Sequence, residues 1–408
     1  GIAQGIRYIE DFKLQNFEKN PIVVCSLGDN SVTEGEVAEA FQFAALHQLP
    51  IIFLVQDNEW GISVTKEEAR TSDAYDYAAG FVGLNRMRID GTDFVESFIQ
   101  MQKAVHFVRE ERKPLLVCAK TVLIGHHTSG VRREFYRDEA DLAKHRAKDP
   151  GIILKKYLLE EGFSEETLSQ IEIEARKQIE EDFNKAILAP DPKPETVKEH
   201  VYAPTPITEE KGTRIPENGE KIPMVDAGIH AIQELMHKHP EALLYGQDVG
   251  GRIGGVFREV VTLQQKFGNK RVFNTAIQEA YIIGSTVGMS AVGLKPIVEV
   301  QFADYIYPGI NQLVTEVSKS CYLSNGKYPV SSIIRVPIGA YGGGGPYHSG
   351  SVETMLAQIK GIKIAYPSNA ADFKGLFKAA FYDPNPVIFL EHKGLYWSKV
   401  PGTEDAKT

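Results

Sequence analysis

The chain has 408 residues, 43% hydrophobic and 24% charged, with a formal net charge of −9. That length holds two or three domains, and the acidic balance argues against nucleic acid as the main partner. No apolar run reaches the length needed to span a bilayer, so no membrane role is expected.

The first half alternates apolar runs with helical spacing. Strands are expected at 21–27, 49–56 and 114–122, with helices at 33–47 and about 93–111. Thr33 and Glu36 have the spacing of a capping box. Continuous apolar strands between helices indicate a parallel sheet covered on both faces. Cys25 and Cys118 fall inside these runs and read as small buried hydrophobes. With Cys321 far away, no disulfide framework or zinc site is expected, and the compartment is read as reducing. Residues 165–188 read as a long, charged, solvated helix. Prolines at 190, 192, 194, 204, 206 and 216 then mark a linker. A second α/β pattern follows, with helices at 223–239, 279–291, 307–319, 351–358 and 370–382. Its strands are expected at 242–248, 296–301, 330–336, 362–366 and 386–391. The expected class is α/β with mainly parallel sheets. The expected division is 1–189, a linker at 190–221, and 222–408.

The most informative stretch is Gly28-Asp29-Asn30, followed after 26 residues by Asp57-Asn58. Asp29 follows one expected strand and Asn58 the next, and open parallel sheets bind ligands beyond their carboxyl ends. A carboxylate and a carboxamide oxygen suit a hard cation such as Mg²⁺ bridging to phosphates. The helix expected from Thr33 aims its N-terminus at the same place, where phosphate is favoured. Each residue alone reads as an ordinary loop or capping residue; the combination reads as a site.

This pattern resembles the thiamine-diphosphate signature. The wider run 28–63 resembles the α subunit of the 2-oxo acid dehydrogenase E1 component. The resemblance implies Mg²⁺ ligation by Asp29, Asn58 and the backbone carbonyl of Trp60, with Gly28 beside the cofactor. Asn30 and Asp57 depart from the family pattern and carry no metal role. Residues 124–129 (IGHHTS) resemble the active-site loop of branched-chain members and assign His127 to cofactor and substrate. Gln56 and Leu123 stand where the family often has phosphate-neutralising arginine, which leaves part of that charge to other groups.

The second half resembles the β subunit of the same family. Residues 272–279 (VFNTAIQE) end on Glu279, which by that resemblance hydrogen-bonds N1′ of the aminopyrimidine and activates the cofactor. A carboxylate at a helix start also has a purely local reading, stabilised by the helix dipole. Residues 301–308 (QFADYIYP) place Tyr305 near the cofactor. The run Gly342–Gly345 leads to Pro346, Tyr347, His348 and Ser349, with His348 in the substrate channel; the glycines are followed by no Lys-Ser/Thr pair, which argues against a phosphate loop.

The resemblance implies two thiamine-diphosphate-binding-fold domains, α-like and β-like, fused in one chain, with the cofactor in a cleft in cis or across a dimer. The implied reaction is oxidative decarboxylation of a 2-oxo acid, branched-chain by the two motifs, with acyl transfer to a lipoyl-bearing E2 acyltransferase. His127 and His348 are candidates for proton transfer and for steering the lipoyl group. A homo-oligomer is expected, in the cytoplasm of a bacterium or the mitochondrial matrix of a eukaryote. Pyruvate or acetoin as substrate, a transketolase-like transferase, and a non-catalytic scaffold are the alternatives. The family's α subunit extends before Gly1 and its β subunit carries a further C-terminal domain, so the chain is read as truncated or as part of a gene product.

Overall fold

In the computed structural model, which describes residues 1–209, 211, 221–341 and 344–398, the alternation of apolar strands and helices builds two parallel sheets. The chain divides into two compact units, Phe17–Thr196 and Gly1–Asn16 with Val197–Thr408.

The Phe17–Thr196 unit holds β1 (Val23–Gly28), β2 (Ile51–Asp57), β3 (Asn85–Asp90) and β4 (Leu115–Lys120) in the order β1-β2-β4-β3. All pairings are parallel. In register, Gly28 faces Gln56 and Asp57 faces Lys120, so the strand carboxyl ends line up. β2 and β4 are the buried centre, led by Ile52, Val55, Leu116 and Val117. β1 departs from the buried strand expected. It is an edge strand whose side chains alternate between half-buried and exposed, and Cys25 is half-buried rather than buried. β3 was not legible because NRMRID carries charges at alternate positions. Arg86 and Arg88 cover their stems by stacking on Tyr75, 4.3 and 4.0 Å from the ring centroid.

The helix after β1 begins later than expected. Asp29–Ser31 forms a tight 3₁₀ turn, with Ser31 Oγ donating to the Gly28 carbonyl at 2.7 Å. Helix α2 therefore spans Gly35–His47 and is capped by Glu34, whose carboxylate accepts from Glu36 N; α1 is the earlier helix Ile2–Phe12. The capping box of Thr33 with Glu36 does not form. Helices α3 (Phe94–Glu111), α4 (Glu139–Arg146) and α5 (Glu165–Leu188), with a further helix Pro150–Glu160 between α4 and α5, also belong to this unit. α5 is exposed apart from Leu168, as expected of a solvated helix, yet the exposed side chains include Ile171, Ile179 and Phe183.

Among the described residues the other unit has six parallel strands: β5 (Ala242–Gly246), β6 (Val272–Asn274), β7 (Lys295–Glu299), β8 (Ile333–Ile338), β9 (Lys363–Ala365) and β10 (Val387–His392). Their order is β9-β10-β8-β7-β5-β6. Helices α6 (Met224–Lys238), α7 (Glu279–Ala291) and α8 (Ala370–Tyr382) flank them. α6 and α8 bring Ile232, Leu235, Phe373 and Phe377 onto the sheet in one apolar core. The helix expected at 307–319 continues from Tyr307–Gln312 into a wider π turn at Leu313–Val317.

Two segments differ from the sequence division. α1 belongs to this second unit, not to a domain spanning 1–189. It packs on α7, and a Cβ on Gly288 would lie 2.4 Å from Ile2 N, so the approach needs glycine. Residues 197–209, read as linker, are bound to the sheet edge. Ala203 exchanges two hydrogen bonds with the Asn385 side chain, at 2.7 and 2.9 Å, and Tyr202 Oη donates to Ile362 O at 3.2 Å. The proline pattern masked these pairings. Pro216 lies outside the described residues.

Candidate active site

The polar residues at the ends of β1, β2 and β4 form one chain of alternating charge. Asp29 is buried, and burial pushes its carboxyl up. Arg70, from the turn after the short helix Lys66–Ala69, opposes that shift: its Nη1 lies 2.6 Å from Asp29 Oδ2. That contact is an ion pair without hydrogen-bond alignment, while Nη1 donates to Asn30 Oδ1 at 3.0 Å. Arg70 Nη2 bonds Asp57 Oδ1 at 2.7 Å. Lys120, ending β4, reaches Asp57 Oδ2 at 3.3 Å and Glu59 Oε1 at 2.6 Å. Glu59 also holds Lys66 at 2.6 Å and, from α4, Lys144 at 3.3 Å. Burial disfavours ionisation of Glu59, but the three lysines override it and hold its carboxyl well below the usual range.

Asp29 and Asn58 follow β1 and β2, and Trp60 opens the hairpin just beyond Asn58. Asn58 Oδ1 accepts from Trp60 N at 2.9 Å, folding the carboxamide back over its own turn. A Cβ on Gly61 would lie 1.8 Å from Asn30 Nδ2, so the short hairpin Trp60–Gly61 with Val64–Thr65 closes directly on the turn after β1. Asp29, Asn58 and the Trp60 carbonyl offer oxygen donors only, the chemistry magnesium takes. No cluster of three His, Cys, Asp or Glu side chains able to hold a metal occurs among the described residues; a set with one carboxylate would not form such a cluster. The donor types fit the ion. The start of α2 does not offer the phosphate seat expected of it, since Glu34 presents a carboxylate to its N-terminus. Gly28 is exposed at the end of β1.

His127 lies on an exposed loop, and no described contact joins it to Asp29 or Asn58. The loop is anchored at its base. His145 Nδ1 accepts from Leu123 N at 3.0 Å, and Arg137 Nη1 donates to Leu123 O at 2.7 Å. Burial, aided by Arg137, pushes the His145 imidazole down, so it stays neutral and can accept. Arg137 also lies over Trp60, 5.2 Å from the ring centroid.

In the second unit, Glu279 is the first residue of α7 and is buried. Gln247, just beyond β5, donates its Nε2 to Glu279 Oε1 at 2.8 Å. An amide partner and a helix N-terminus hold a carboxylate without supplying a counter-cation. Tyr305, in the turn Ala303–Tyr305, meets His348 Nε2 at 2.8 Å. His348 Nδ1 lies 3.0 Å from the Gly344 carbonyl. That carbonyl only accepts, so Nδ1 carries the proton, and in the neutral ring Nε2 accepts from the Tyr305 hydroxyl. Phe302 packs edge-on against His348 at 4.7 Å. Lys393, fully buried, donates to the His348 carbonyl. No described hydrogen bond joins Glu279 to the Tyr305–His348 pair. Gly342 and Gly343 lie outside the described residues.

Beneath these groups sits a buried charge cluster that sequence reading missed. Arg335 on β8 bonds Glu299 of β7 at 2.7 Å and Glu391 of β10 at 2.6 and 2.8 Å. Burial and the neighbouring Glu299 push the Glu259 carboxyl well up. For Glu299, Arg335 and Glu391 the local signal was present: a charged residue at or within an otherwise apolar strand; Glu259, in a turn, had none. Arg70, Glu59 and Lys144 had no such signal, because their partnership exists only in three dimensions.

Residues 3–195 match the family model described as Dehydrogenase E1 component, and residues 220–398 match Transketolase, pyrimidine binding domain. The chain is 43% identical over 182 residues to a 2-oxoisovalerate dehydrogenase subunit beta of Pseudomonas aeruginosa, covering 45% of this chain and 52% of the relative. It is 42% identical over 172 residues to the protein of that name in Bacillus subtilis, covering 42% and 52%. It is 42% identical over 175 residues to a pyruvate dehydrogenase E1 component subunit beta of Acholeplasma laidlawii, covering 43% and 53%. The chain spans about half the length of these curated relatives. It therefore carries a dehydrogenase E1 segment and a transketolase-type pyrimidine-binding domain, and the parallel α/β sheets agree with both.

Proposed function

We propose that the chain is the fused α-like and β-like core of a thiamine-diphosphate-dependent 2-oxo acid dehydrogenase E1 component, acting on branched-chain 2-oxo acids. The observation that carries the reading is Glu279: a buried carboxylate at the start of α7, held by Gln247 and without a counter-cation among its described partners. When bound, thiamine diphosphate supplies the carbanion chemistry that releases the carboxylate of a 2-oxo acid as CO₂. Asp29, Asn58 and the Trp60 carbonyl would hold magnesium, and Glu279 would hydrogen-bond the pyrimidine ring.

The Tyr305–His348 pair is built for proton movement along its hydrogen bond. Its ring Nε2 accepts from a phenol, and a proton gained by the imidazole would reverse the direction of that bond. Lys393 fixes the His348 main chain, so the ring is positioned from both ends. His127, exposed on a loop with an anchored base, is the candidate for meeting substrate and the lipoyl group of a partner acyltransferase. The branched-chain reading draws on 301–308, 124–129 and the 2-oxoisovalerate relatives. Pyruvate is the second reading, favoured by the Acholeplasma relative at similar identity.

The test is a rate screen of the full-length gene product against several 2-oxo acids, with a lipoyl domain and separately with an artificial electron acceptor. Lipoyl-dependent turnover, with higher kcat/KM for branched-chain acids than for pyruvate, is the expected result. A preference for pyruvate transfers the substrate assignment; turnover without either acceptor overturns the dehydrogenase reading.

A further inference from the structure

A diphosphate ester carries about three negative charges near neutral pH, and one magnesium ion offsets two of them. Some protein cation has to face the rest. Gln56 and Leu123 are neutral, and Glu34 gives the N-terminus of α2 a carboxylate. Arg70 is fully engaged: one side of its guanidinium serves Asp29 and Asn30, the other Asp57.

Three further cations are gathered on Glu59, the residue next to Asn58. Lys66 is its local partner, since Lys66 N also donates to Glu59 O at 3.1 Å. Lys120 and Lys144 come from distant elements, the end of β4 and α4, and keep side chains that are 48% and 62% exposed. Glu59 adopts a left-handed backbone, with φ of 70°. A non-glycine residue there is strained, and such strain concentrates at functional sites.

We infer that Lys120 and Lys144 are the phosphate-binding cations of this site, held on Glu59 until a diphosphate exchanges with it. The inference rests on the reading that Asp29 and Asn58 anchor a metal–diphosphate. The charge count agrees with it. Asp29, Asp57 and Glu59 against Arg70, Lys66, Lys120 and Lys144 leave one net positive charge, and the magnesium–diphosphate unit carries about one net negative. Glu59 thus sets the affinity: it keeps the lysines ordered in the empty site and competes with the incoming phosphates.

The test is calorimetric titration of the full chain with inorganic diphosphate and magnesium, at low and moderate salt. Lys144→Met is expected to weaken binding roughly two- to fivefold, and Lys120→Met with Lys144→Met to weaken it further and flatten its salt dependence. Glu59→Gln is expected to tighten binding by a similar factor, an outcome a merely structural Glu59 would not give. Circular dichroism checks each fold, and Lys144→Met, at an exposed position, keeps the test open if Glu59→Gln does not fold. Lysine variants that bind like the parent overturn the inference. Asp29→Ala separates it from the reading beneath it: if Asp29→Ala loses binding while the lysine variants do not, only the inference fails. If Asp29→Ala binds magnesium diphosphate like the parent, both fail.

Discussion

At the strand ends of Phe17–Thr196, three carboxylates meet four cations, and several of the side chains remain in contact with solvent. In the other unit, Glu279 is buried against an amide, and below it Glu259, Glu299 and Glu391 lie around the single guanidinium of Arg335. The first region can exchange partners, because each ion that leaves one pair finds water or another ion. The second cannot: a carboxylate moved out of water there holds a proton, a hydrogen bond or a share of the one guanidinium, since no water or further cation is among its described partners. Anchoring a charged group and activating a ring call for these two kinds of environment.

The largest effect that would test the contrast is at Glu279. Glu279→Gln keeps the volume and the bond with Gln247 but removes the acid. Turnover is expected to fall by roughly 10²–10⁴, while affinity for the cofactor changes much less. Hydrogen–deuterium exchange at thiamine C2, read by NMR after acid quench, reports the step directly. Equal exchange in variant and parent would reduce Glu279 to a helix-start carboxylate. On the anchoring side, Asp29→Ala is expected to abolish magnesium-dependent cofactor binding in a calorimetric titration, with catalysis lost only as a consequence. Binding with parental affinity would remove Asp29 from the anchor.

Removing the buried cation is the next sharpest cut. Arg335→Met leaves Glu299 and Glu391 unpaired, and breaking a buried pair in this way costs about 3–5 kcal/mol; denaturant unfolding measures it, and a loss under 1 kcal/mol would show that water reaches the cluster. The smallest effect concerns Glu259. Its carboxyl is held up in the fold above its ordinary value of 4.5, so the native state keeps a proton that the unfolded chain has released. The contribution of this group to stability is then full at low pH and falls as pH rises from about that value towards the native one. Glu259→Gln retains the hydrogen-bond geometry without the titration. Its melting temperature should match the parent near pH 4 and exceed it increasingly towards neutrality; a constant offset would contradict this.

Much of this was legible in sequence because both sheets are parallel and buried at their centres. The runs in β2, β4, β7, β8 and β10 are apolar on both faces, and α7 and α8 span the residues expected of them, Glu279–Ala291 and Ala370–Tyr382. Legibility failed at the edges. β3 hides its arginine stems on Tyr75, and β6 is three residues long. Residues 197–209 look like linker because proline suits both a tether and a strand-edge strap. At the site, motif positions such as Asp29, Asn58 and Glu279 stood out, but the counter-ions did not. Arg70, Lys66 and Lys144 sit in polar, turn-rich sequence where a lysine or arginine is unremarked, and only the fold brings them onto the acids. The capping residue of α2 was misread by one position because Thr33 and Glu34 both precede an apolar stretch.

The placement of α1 bears on how the chain is made. Gln4 bonds Tyr281 from 277 residues away, whereas every strand pair of Phe17–Thr196 forms within that stretch. At a synthesis rate of about 5–20 residues per second, roughly a quarter of a minute to a minute separates α1 from the helix it packs on. During that time Phe17–Thr196 can finish folding, while Ala3, Ile6, Tyr8 and Ile9 wait uncovered. Vectorial synthesis thus leaves the second unit dependent on late docking of α1, long after the inserted stretch has emerged.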